Sequence, residues 1–311
     1  MFFPLKPPSD QESFEDYNLL KSFDPCSLIN NGQWFSRSDF NDSFKKNVYI
    51  GTNKLGLKAS NRHHWYARMA CDSINSPSPI RSWYQVKHRK TLENSKFFKE
   101  NPKTALALRK YIASQFRPTA AMAIYSLFNA KKVYDPCGGW GDRLIAAMAM
   151  NIDYTCREVN PLVIAGYAAM EQMYEHTGLL NFEYEGSEVS VPDGKFDLIF
   201  TSPPYWKVEK YQGEKSSHAL YKKFEDWLDN FLLKTLSNCW QALDVGGHMV
   251  INVSDVYANH TYNKIVGPVL EKFSVHKPWV MGYQMAKRVN SKSLQEGIFC
   301  EPVIVVKKGR V

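Results

Sequence analysis

Residues 130–150 read AKKVYDPCGGWGDRLIAAMAM, and this stretch decides the fold. Its first part is a short apolar run, typical of a buried strand, that ends at Pro136. A turn rich in glycine follows, and residues 142–150 are strong helix formers. A strand, a glycine turn and a helix in direct succession indicate one unit of an open α/β sheet, whose ligands bind beside the carboxyl ends of the strands.

The same alternation continues on both sides of this unit. A helix is predicted at 118–128, with Pro118 in its first turn, and another at 103–116. The later predicted helices are 161–178, 224–247 and 262–273, and the later predicted strands are 152–159, 181–186, 196–205, 248–255, 275–285 and 298–308. No helix separates the last two strands, which indicates an antiparallel hairpin. The predicted fold class is therefore α/β, a doubly wound, mostly parallel, seven-stranded sheet with an antiparallel edge hairpin and an N-terminal extension.

The net charge of +8 comes from one segment of the chain. Residues 54–117 carry 14 basic and 3 acidic side chains, a net charge of +11, together with several aromatic residues. A concentrated basic segment that contains aromatic side chains favours a nucleic-acid partner over an ordinary solvated surface. We therefore predict two domains, a basic and aromatic recognition region at 1–115 and a catalytic domain at 116–311.

The cysteines and the apolar segments exclude several classes of protein. None of the six cysteines is spaced as Cys-x-x-Cys, which argues against a zinc site and against a disulfide framework. No apolar run is long enough to cross a bilayer, and the N-terminus does not resemble a signal peptide. The prediction is a cytoplasmic protein in a bacterial, phage or viral context, with neither a metal nor a membrane as partner. Self-association and a partner nuclease stay open.

Polar groups at the predicted strand ends suit a cationic ligand. Asp135 ends the first strand, and an acid there would repel a phosphate; the turn also lacks the Gly-Lys-Ser/Thr of a phosphate-binding loop. S-adenosylmethionine carries an amino group and a sulfonium. Glu158 ends the second strand, where an acid can accept hydrogen bonds from two ribose hydroxyls. Ser187 follows the third strand, near the place expected for an adenine ring. The predicted cofactor-binding residues are Asp135, Pro136, Cys137, Gly138, Gly139, Gly141, Glu158, Ser187 and Thr201.

The fourth predicted strand ends in TSPPYW (201–206), which favours chemistry on a planar amine. Two consecutive prolines stiffen the turn and leave carbonyl groups without ladder partners. The Ser202 hydroxyl and the Pro203 carbonyl can accept the two hydrogens of an exocyclic amino group on a base, which turns its lone pair toward a methyl donor. Tyr205 can stack on the base once it has left the helix. The predicted catalytic residues are Ser202, Pro203, Pro204 and Tyr205.

DPCGGWGDR, EVNP and TSPPYW, in this order, resemble the S-adenosylmethionine-dependent amino-methyltransferases that act on adenine N6 or cytosine N4 of DNA. The resemblance covers residues 105–306 and implies a DNA methyltransferase with S-adenosylmethionine as cofactor. Cys137 stands where the family often has Phe, and Ser187 where it often has Asp. A Ser-Pro-Pro-Tyr motif implies cytosine N4 more often than adenine N6. Cys137 lies in the glycine turn, so we expect packing beside the cofactor and not the nucleophile of carbon-5 methyltransferases.

Other readings stay open beside this one. RNA or protein amino-methyltransferases use related motifs, and a relative without catalytic activity could keep the fold for binding DNA. A dinucleotide-dependent oxidoreductase fits the Trp140 turn and the proline turn poorly.

The basic residues of the N-terminal region are the first candidates for contacting DNA, because the catalytic region has no room for a recognition domain. His64 and the segment 287–293 are further candidates, and the basic loop 206–223 could hold the flipped base. The predicted DNA-binding residues are Arg62, His63, Arg68, Arg81, Lys87, Arg89, Lys90, Trp206 and Lys207.

Overall fold

The computed structural model describes residues 2–74, 76–108, 112–285 and 297–310, and the predicted contact segment 287–293 lies outside them. The helices are α1 (Asp10–Lys21), α2 (Leu57–Met69), α3 (Pro79–Tyr84), α4 (Val86–Glu93), α5 (Pro102–Leu108), α6 (Pro118–Leu127), α7 (Asp142–Ala149), α8 (Pro161–Met173), α9 (Ser217–Leu220), α10 (Phe224–Trp227), α11 (Lys234–Ala242) and α12 (Val266–Lys272). The strands are β1 (Ile29–Asn31), β2 (Trp34–Phe35), β3 (Lys45–Ile50), β4 (Asp72–Ser73), β5 (Lys132–Asp135), β6 (Asp153–Arg157), β7 (Leu180–Glu183), β8 (Phe196–Thr201), β9 (Glu209–Lys210), β10 (Leu243–Asn252), β11 (Val256–Ala258), β12 (Thr261–Asn263), β13 (Trp279–Gln284) and β14 (Ile298–Lys307).

The main sheet has the strand order β1-β3-β13-β14-β10-β8-β5-β6-β7, and β2 pairs with β14. The strands from β10 to β7 are parallel, whereas β14 runs antiparallel to both β10 and β13. The path from β13 to β7 holds the seven predicted strands, with β13 and β14 as the antiparallel hairpin. The predicted α/β class is confirmed, and β1, β2 and β3 extend the sheet beyond the prediction.

Four helical predictions differ from the structure. The helix predicted at 103–116 gives α5, which ends at Leu108, with residues 112–116 outside any helix, and the helix predicted at 161–178 ends at Met173. The helix predicted to run from 224 to 247 ends at Ala242, after a π-helical turn at Leu228–Leu233, and β10 begins at Leu243. Its glycines belong to the strand: Gly246 has a φ of +91°, and the pairing of β10 with β8 shifts between Leu243 and His248. The predicted helix 262–273 is shorter, because residues 261–263 form β12 against β11.

The two faces of the sheet carry separate apolar cores. One core packs α6, α7 and α8 against the sheet and includes residues of α1 and α2. The other packs α11 and α12 against the opposite face. Because apolar side chains of β5, β8 and β10 enter both cores, the carboxyl ends of these strands are held rigidly where a ligand can reach them.

The N-terminal region is joined to the main sheet, and the boundary predicted at residue 115 stays a prediction. Its strands β1 and β3 join the main sheet beside β13. Its helix α2 packs on α8, where the His64 ring fits against Gly141 and Gly166. A Cβ atom on Gly166 would lie 2.3 Å from His64 Nε2, so the glycines of the sheet domain accommodate the N-terminal helix.

Helices α3, α4 and α5 form a basic helical module, residues 79–108, with an apolar core of its own around Trp83 and Leu92. The chain on either side of this module is attached to the same short segment of the sheet domain. On one side β4 pairs with β9, and on the other the Ser114 amide and hydroxyl donate to Glu209 Oε1 at 2.7 and 2.9 Å. The module is therefore tied directly to the residues that follow the proline turn after β8.

Candidate active site

A cleft of about 650 Å³ opens at the carboxyl ends of β5, β6, β7 and β8. Its walls come from four places: the glycine turn, the ends of β6 and β7, the proline turn, and the loop 206–223. The lining residues are Pro136, Cys137, Gly139, Trp140, Arg157, Glu158, Val159, Asn160, Val163, Glu185, Gly186, Ser187, Glu188, Ser202, Pro204, Tyr211, Lys215, Ser216, Ser217 and Phe231. The cleft thus unites the glycine turn and the proline turn that the sequence singled out.

The three glycines of the glycine turn have different tasks. Gly139, with a φ of +61°, lines the cleft, and a Cβ atom there would lie no closer than 3.7 Å to its neighbours. Gly138 instead accommodates Tyr167, because a Cβ atom would lie 2.5 Å from that hydroxyl. Gly141, with a φ of +75°, accommodates His64 at 2.8 Å. Gly138 and Gly141 are therefore corrected from ligand-contacting to packing positions.

Asp135 lies outside the cleft, which contradicts its predicted contact with a cation of the ligand. Its carboxylate is fully buried, pairs with Arg143 Nε at 2.6 Å and accepts the Tyr154 hydroxyl at 2.6 Å. It also accepts the Cys137 amide at 3.1 Å. The guanidinium of Arg143 compensates the buried negative charge, so Asp135 holds the turn in shape.

Glu158 lines the cleft as predicted. Its carboxylate accepts the amides of Gly139 at 3.0 Å, Val159 at 2.8 Å and Asn160 at 3.0 Å. Burial raises the pKa of this group and the three amides oppose the shift. A carboxylate fixed by backbone amides keeps further lone pairs for the hydroxyls of a ligand.

Ser187 lines the cleft, but its hydroxyl is already engaged. It donates to the Pro136 carbonyl and lies 3.5 Å from the Tyr134 hydroxyl. The neighbouring Glu188, absent from the predicted set, offers the acceptor instead, because its Oε2 is buried and has no hydrogen-bond partner among the described residues. Burial raises the pKa of this carboxyl group. The signal in the sequence was an acid one residue beyond the expected position, in GSE (186–188).

The loop 206–223 forms part of the wall of the cleft, where Tyr211, Lys215 and Ser216 line it. Its contact with the target base stays a prediction. Gln212 accepts the Asn160 amide at 3.0 Å and donates to the Ala67 carbonyl at 3.1 Å, which fixes the loop between the sheet domain and α2.

The proline turn is divided between the cleft and the protein interior. Ser202 and Pro204 line the cleft, and Pro203 is buried beside them. Thr201, predicted to contact the cofactor, is fully buried within β8 and does not line the cleft. Cys137 lines the cleft, and burial raises the pKa of its thiol well above the usual value, which agrees with packing and argues against a nucleophile.

Tyr205 is held beside strands β10 and β14 by its hydroxyl group. The oxygen lies 3.2 Å from the Asn252 carbonyl and 3.4 Å from Glu301 Oε2. Burial raises the pKa of the phenol well above its usual value, and a hydrogen bond from Ser202 opposes that shift. Sequence reasoning missed Glu301, because it lies 96 residues away on the antiparallel strand β14.

Trp206 does not form an exposed DNA contact, whereas Lys207 is partly exposed and its DNA contact stays a prediction. Trp206 is buried in an apolar core, packs edge-on against Phe224 at 5.5 Å between ring centres, and adopts a φ of +48°. The Lys207 ammonium donates to the Lys222 carbonyl at 2.6 Å and lies over the Trp206 ring. The aromatic ring is needed inside the domain, so the predicted role of Trp206 at the surface is wrong.

The predicted DNA-binding residues of α2 are largely occupied by the protein itself. Arg68 is buried and donates to the Ala113 carbonyl at 2.9 Å and to Asn61 at 3.1 Å. His64 is fully buried, with its ring nitrogens 3.1 Å from the Ser60 and Val163 carbonyls. These two predictions are corrected, because the fold directs the His64 ring toward α8 and the Arg68 guanidinium toward the segment before α6.

The remaining candidates differ in exposure. His63 packs edge-on against Tyr174, and burial lowers its pKa to about 4, so that its ring is neutral at pH 7. Arg62 pairs with Asp10 at 2.6 Å. On the basic helical module, Arg81 is exposed and pairs with Asp72, Arg89 lies 3.9 Å from Glu93, and Lys87 and Lys90 are exposed.

Metal sites and membrane-spanning helices are both absent from the part of the chain that the structure describes. No group of three or more His, Cys, Asp or Glu side chains there is arranged to hold a metal ion. Within the same residues, no helix has both the length and the apolar character required to cross a membrane.

Among solved structures, the chain is similar to a methyltransferase from Pyrococcus furiosus, with 18% identity over 72% of this chain and 100% of that one and a TM-score of 0.40. It is also similar to an rRNA methylase from Streptococcus thermophilus, with 12% identity over 64% of this chain and 100% of that one and a TM-score of 0.41. TehB from Haemophilus influenzae matches with 11% identity over 68% of this chain and 65% of TehB, with a TM-score of 0.41.

The comparison with curated proteins yields no match. A family model described as DNA methylase, of the N6 and N4 type, matches residues 196–308. The match begins at β8 and ends after β14, so it includes the proline turn and the antiparallel hairpin. Residues 196–308 are therefore similar to the N6/N4 DNA methylase family.

Proposed function

We propose that this protein transfers a methyl group from S-adenosylmethionine to an exocyclic amino group of a DNA base, with cytosine N4 as the favoured target and adenine N6 as the alternative. The observation that carries the proposal is that Ser202 and Pro204 line the same cleft as Gly139 and Glu158. A methyl donor and an amine can thus meet in one cleft, which methyl transfer requires because it depends on in-line positioning.

The side chains of the cleft fit S-adenosylmethionine. Glu158 would accept the ribose hydroxyls, and the unpartnered Oε2 of Glu188 is the buried acceptor that an amino group of the adenine ring would satisfy. Gly139 leaves the backbone open to close approach. Loop residues such as Tyr211 and Ser216 cover the ligand and exclude water. When bound, S-adenosylmethionine supplies an activated methyl group on its sulfonium.

The proline turn would hold the target amine. The Ser202 hydroxyl and the Pro203 carbonyl accept its hydrogens, so that the nitrogen lone pair points into the cleft. The ring of Tyr205, fixed through its hydroxyl, would offer a stacking face to the flipped base, worth about 1–3 kcal/mol in single-strand binders. A serine at position 202 supports cytosine N4, since the Ser-Pro-Pro-Tyr form resembles the N4 enzymes.

The basic helical module is the proposed DNA surface. Lys87 and Lys90 are exposed on α4, and the module is tied through Glu209 to the residues that follow the proline turn. Positive charge next to the catalytic turn supports a polyanion over a small-molecule substrate. RNA would satisfy the same charge, so the substrate has to be tested on both nucleic acids.

The decisive experiment supplies unmethylated genomic DNA or RNA together with methyl-labelled S-adenosylmethionine, then identifies the modified nucleoside by mass. We expect label in DNA, on N4-methylcytosine. Ser202→Ala should slow methyl transfer about 100-fold, because one contact to the amine is lost, while the affinity for S-adenosylmethionine changes little.

Ser237→Ala is the matched control, because this hydroxyl, on α11, donates to the Leu233 carbonyl in the preceding helical turn. It should leave both activity and cofactor binding unchanged. Label in RNA alone would contradict the proposed substrate, and equal losses of transfer and cofactor affinity in Ser202→Ala would contradict the role of this serine. Cofactor binding without any transfer would indicate a relative that only binds DNA.

A further inference from the structure

Glu301 is a carboxylate close to the cleft that has no role in the binding of the cofactor or the target amine described above. It lies on β14, partly buried, one residue from Cys300 and opposite Tyr283 in the β13 register. Its Oε2 faces the Tyr205 hydroxyl at 3.4 Å, and a hydrogen bond from Asn252 also stabilises its charged form. A side chain of this polarity at the end of the proline turn requires an explanation.

The hydroxyls between Glu301 and the cleft form a chain with one direction. Ser202 lines the cleft and donates to the Tyr205 hydroxyl, whose single hydrogen can point to the Asn252 carbonyl at 3.2 Å or to Glu301 Oε2 at 3.4 Å. An amine hydrogen that points at Ser202 would add the first link. Each hydroxyl can then accept one proton and release another, so that a charge in the cleft reaches a carboxylate outside it.

Methyl transfer creates the proton that such a chain would remove. The amine nitrogen uses its lone pair to form the bond to the methyl carbon, and the bond from that carbon to sulfur breaks with its electron pair on sulfur. The nitrogen then carries a positive charge and one hydrogen too many. A serine hydroxyl cannot keep that proton, so the proton needs a final acceptor.

We propose that Glu301 is this acceptor, reached from the amine through the hydroxyls of Ser202 and Tyr205. The proton moves from nitrogen to Ser202 Oγ, the Ser202 proton moves to Tyr205, and the Tyr205 proton moves to Glu301 Oε2. The products are a neutral methylated amine, a neutral sulfide and a neutral carboxylic acid. This proposal rests on the methyltransferase function proposed above.

The other carboxylates around the cleft have other partners. Of those on its wall, Glu188 accepts the Tyr221 hydroxyl at 3.3 Å and Glu185 lies 3.4 Å from Arg157. Asp135 is neutralised by Arg143, and Glu158 is held by three backbone amides. Glu209 accepts the Tyr211 hydroxyl and the Ser114 groups. Glu301 has only hydrogen bonds from neutral groups, so protonation breaks no ion pair in the part of the chain that the structure describes.

The electrostatic surroundings of Glu301 set its pKa in a range that suits a proton acceptor. Burial raises its pKa to about 7, hydrogen bonds from Asn252 and Tyr205 oppose the shift, and the charge of Glu209 adds to it. Tyr283 faces it from β13. The positive charge of Arg117, before α6, opposes the rise that burial causes in the pKa of Tyr283. A base with a pKa near the working pH accepts a proton readily and also releases it again.

The test compares Glu301→Gln with the unaltered protein in single-turnover methyl transfer to unmethylated genomic DNA between pH 5.5 and pH 9. In the unaltered protein the rate should fall about tenfold per pH unit below about pH 7, because Glu301 becomes protonated. In Glu301→Gln the rate should be about 100-fold lower, without that acid limb. Tyr205→Phe should lose the same limb, because it interrupts the chain.

A second measurement is independent of activity. The infrared carboxyl band of the isotope-labelled protein should contain a component that titrates near pH 7 and is missing in Glu301→Gln. Binding of S-adenosylmethionine and the melting temperature identify variants that fail to fold. An acid limb that persists in Glu301→Gln, or an unchanged rate, would overturn the proposal and indicate proton loss directly to water. Absence of methylation by the unaltered protein would instead contradict the proposed function.

Discussion

Helix α2 and the basic helical module come from the same positively charged segment, yet they direct their cations in opposite ways. In α2, Arg68 is buried against Ala113 and Asn61. In the module, Lys87 and Lys90 are exposed on a short helix that covers only a small apolar core. One region uses its positive charge to attach the N-terminal part to the sheet domain, and the other presents it to the surroundings.

The difference teaches that the sum of charges in a segment predicts a partner better than it predicts a contact. The net charge of +11 over residues 54–117 includes cations, such as Arg68, that are bound to other groups of the protein. Burial and backbone carbonyl acceptors decide which cations stay available, and neither follows from the charge pattern. Three variants, one of them a double variant, test this division, and they are taken from the largest expected effect to the smallest.

Arg68→Gln should produce the largest change, and it should be a change in stability. The substitution removes a buried guanidinium. The Ala113 carbonyl loses its hydrogen-bond donor and the buried Asp142 loses a neighbouring positive charge, so the free energy of unfolding should fall by about 3 kcal/mol. Chemical denaturation measures that energy, and filter binding measures DNA affinity of the folded fraction. Unchanged stability together with lost DNA affinity would place Arg68 on the DNA surface after all.

Lys87→Gln combined with Lys90→Gln should act on the partner and not on the fold. Removing two phosphate contacts should lower DNA affinity about tenfold at moderate salt and reduce the slope of log affinity against log salt by about 2. The melting temperature should stay constant, because both side chains are exposed.

The control for that pair is Lys272→Gln combined with Lys277→Gln. These exposed lysines lie before β13, at the edge of the sheet opposite the cleft, and carry the same charge change. They should leave the salt slope unaltered. Equal effects of the two double variants would mean that DNA affinity follows net charge and not the module.

Sequence reasoning succeeded where one local pattern fixes one element. The run before Pro136 and the helix after Gly141 are where the periodicity placed them, and the strand before Ser202 ends at the proline turn. Backbone propensity and hydrophobic burial act over neighbouring residues there, so the pattern is sufficient.

It failed where the outcome depends on distant partners. Asp135 and Glu158 both end parallel strands, but Arg143 neutralises the first and backbone amides hold the second at the cleft. Whether an aromatic residue such as Trp206 turns inward depends on Phe224 in another element. Glu301 reaches the site through an antiparallel strand whose position only the assembled sheet defines.

Arg62→Gln should have the smallest effect and sharpens the comparison within one helix. Arg62 lies six residues before Arg68 on α2, but it is partly exposed and pairs with Asp10, whose side chain is 66% exposed. A solvated ion pair contributes little, so the free energy of unfolding should fall by less than about 1 kcal/mol, with DNA affinity almost unchanged. Because Arg62→Gln and Arg68→Gln remove the same charge from the same helix, any large difference in stability between them must come from burial. A loss of DNA affinity in Arg62→Gln equal to that of the Lys87 and Lys90 double variant would instead extend the DNA surface from the module onto α2.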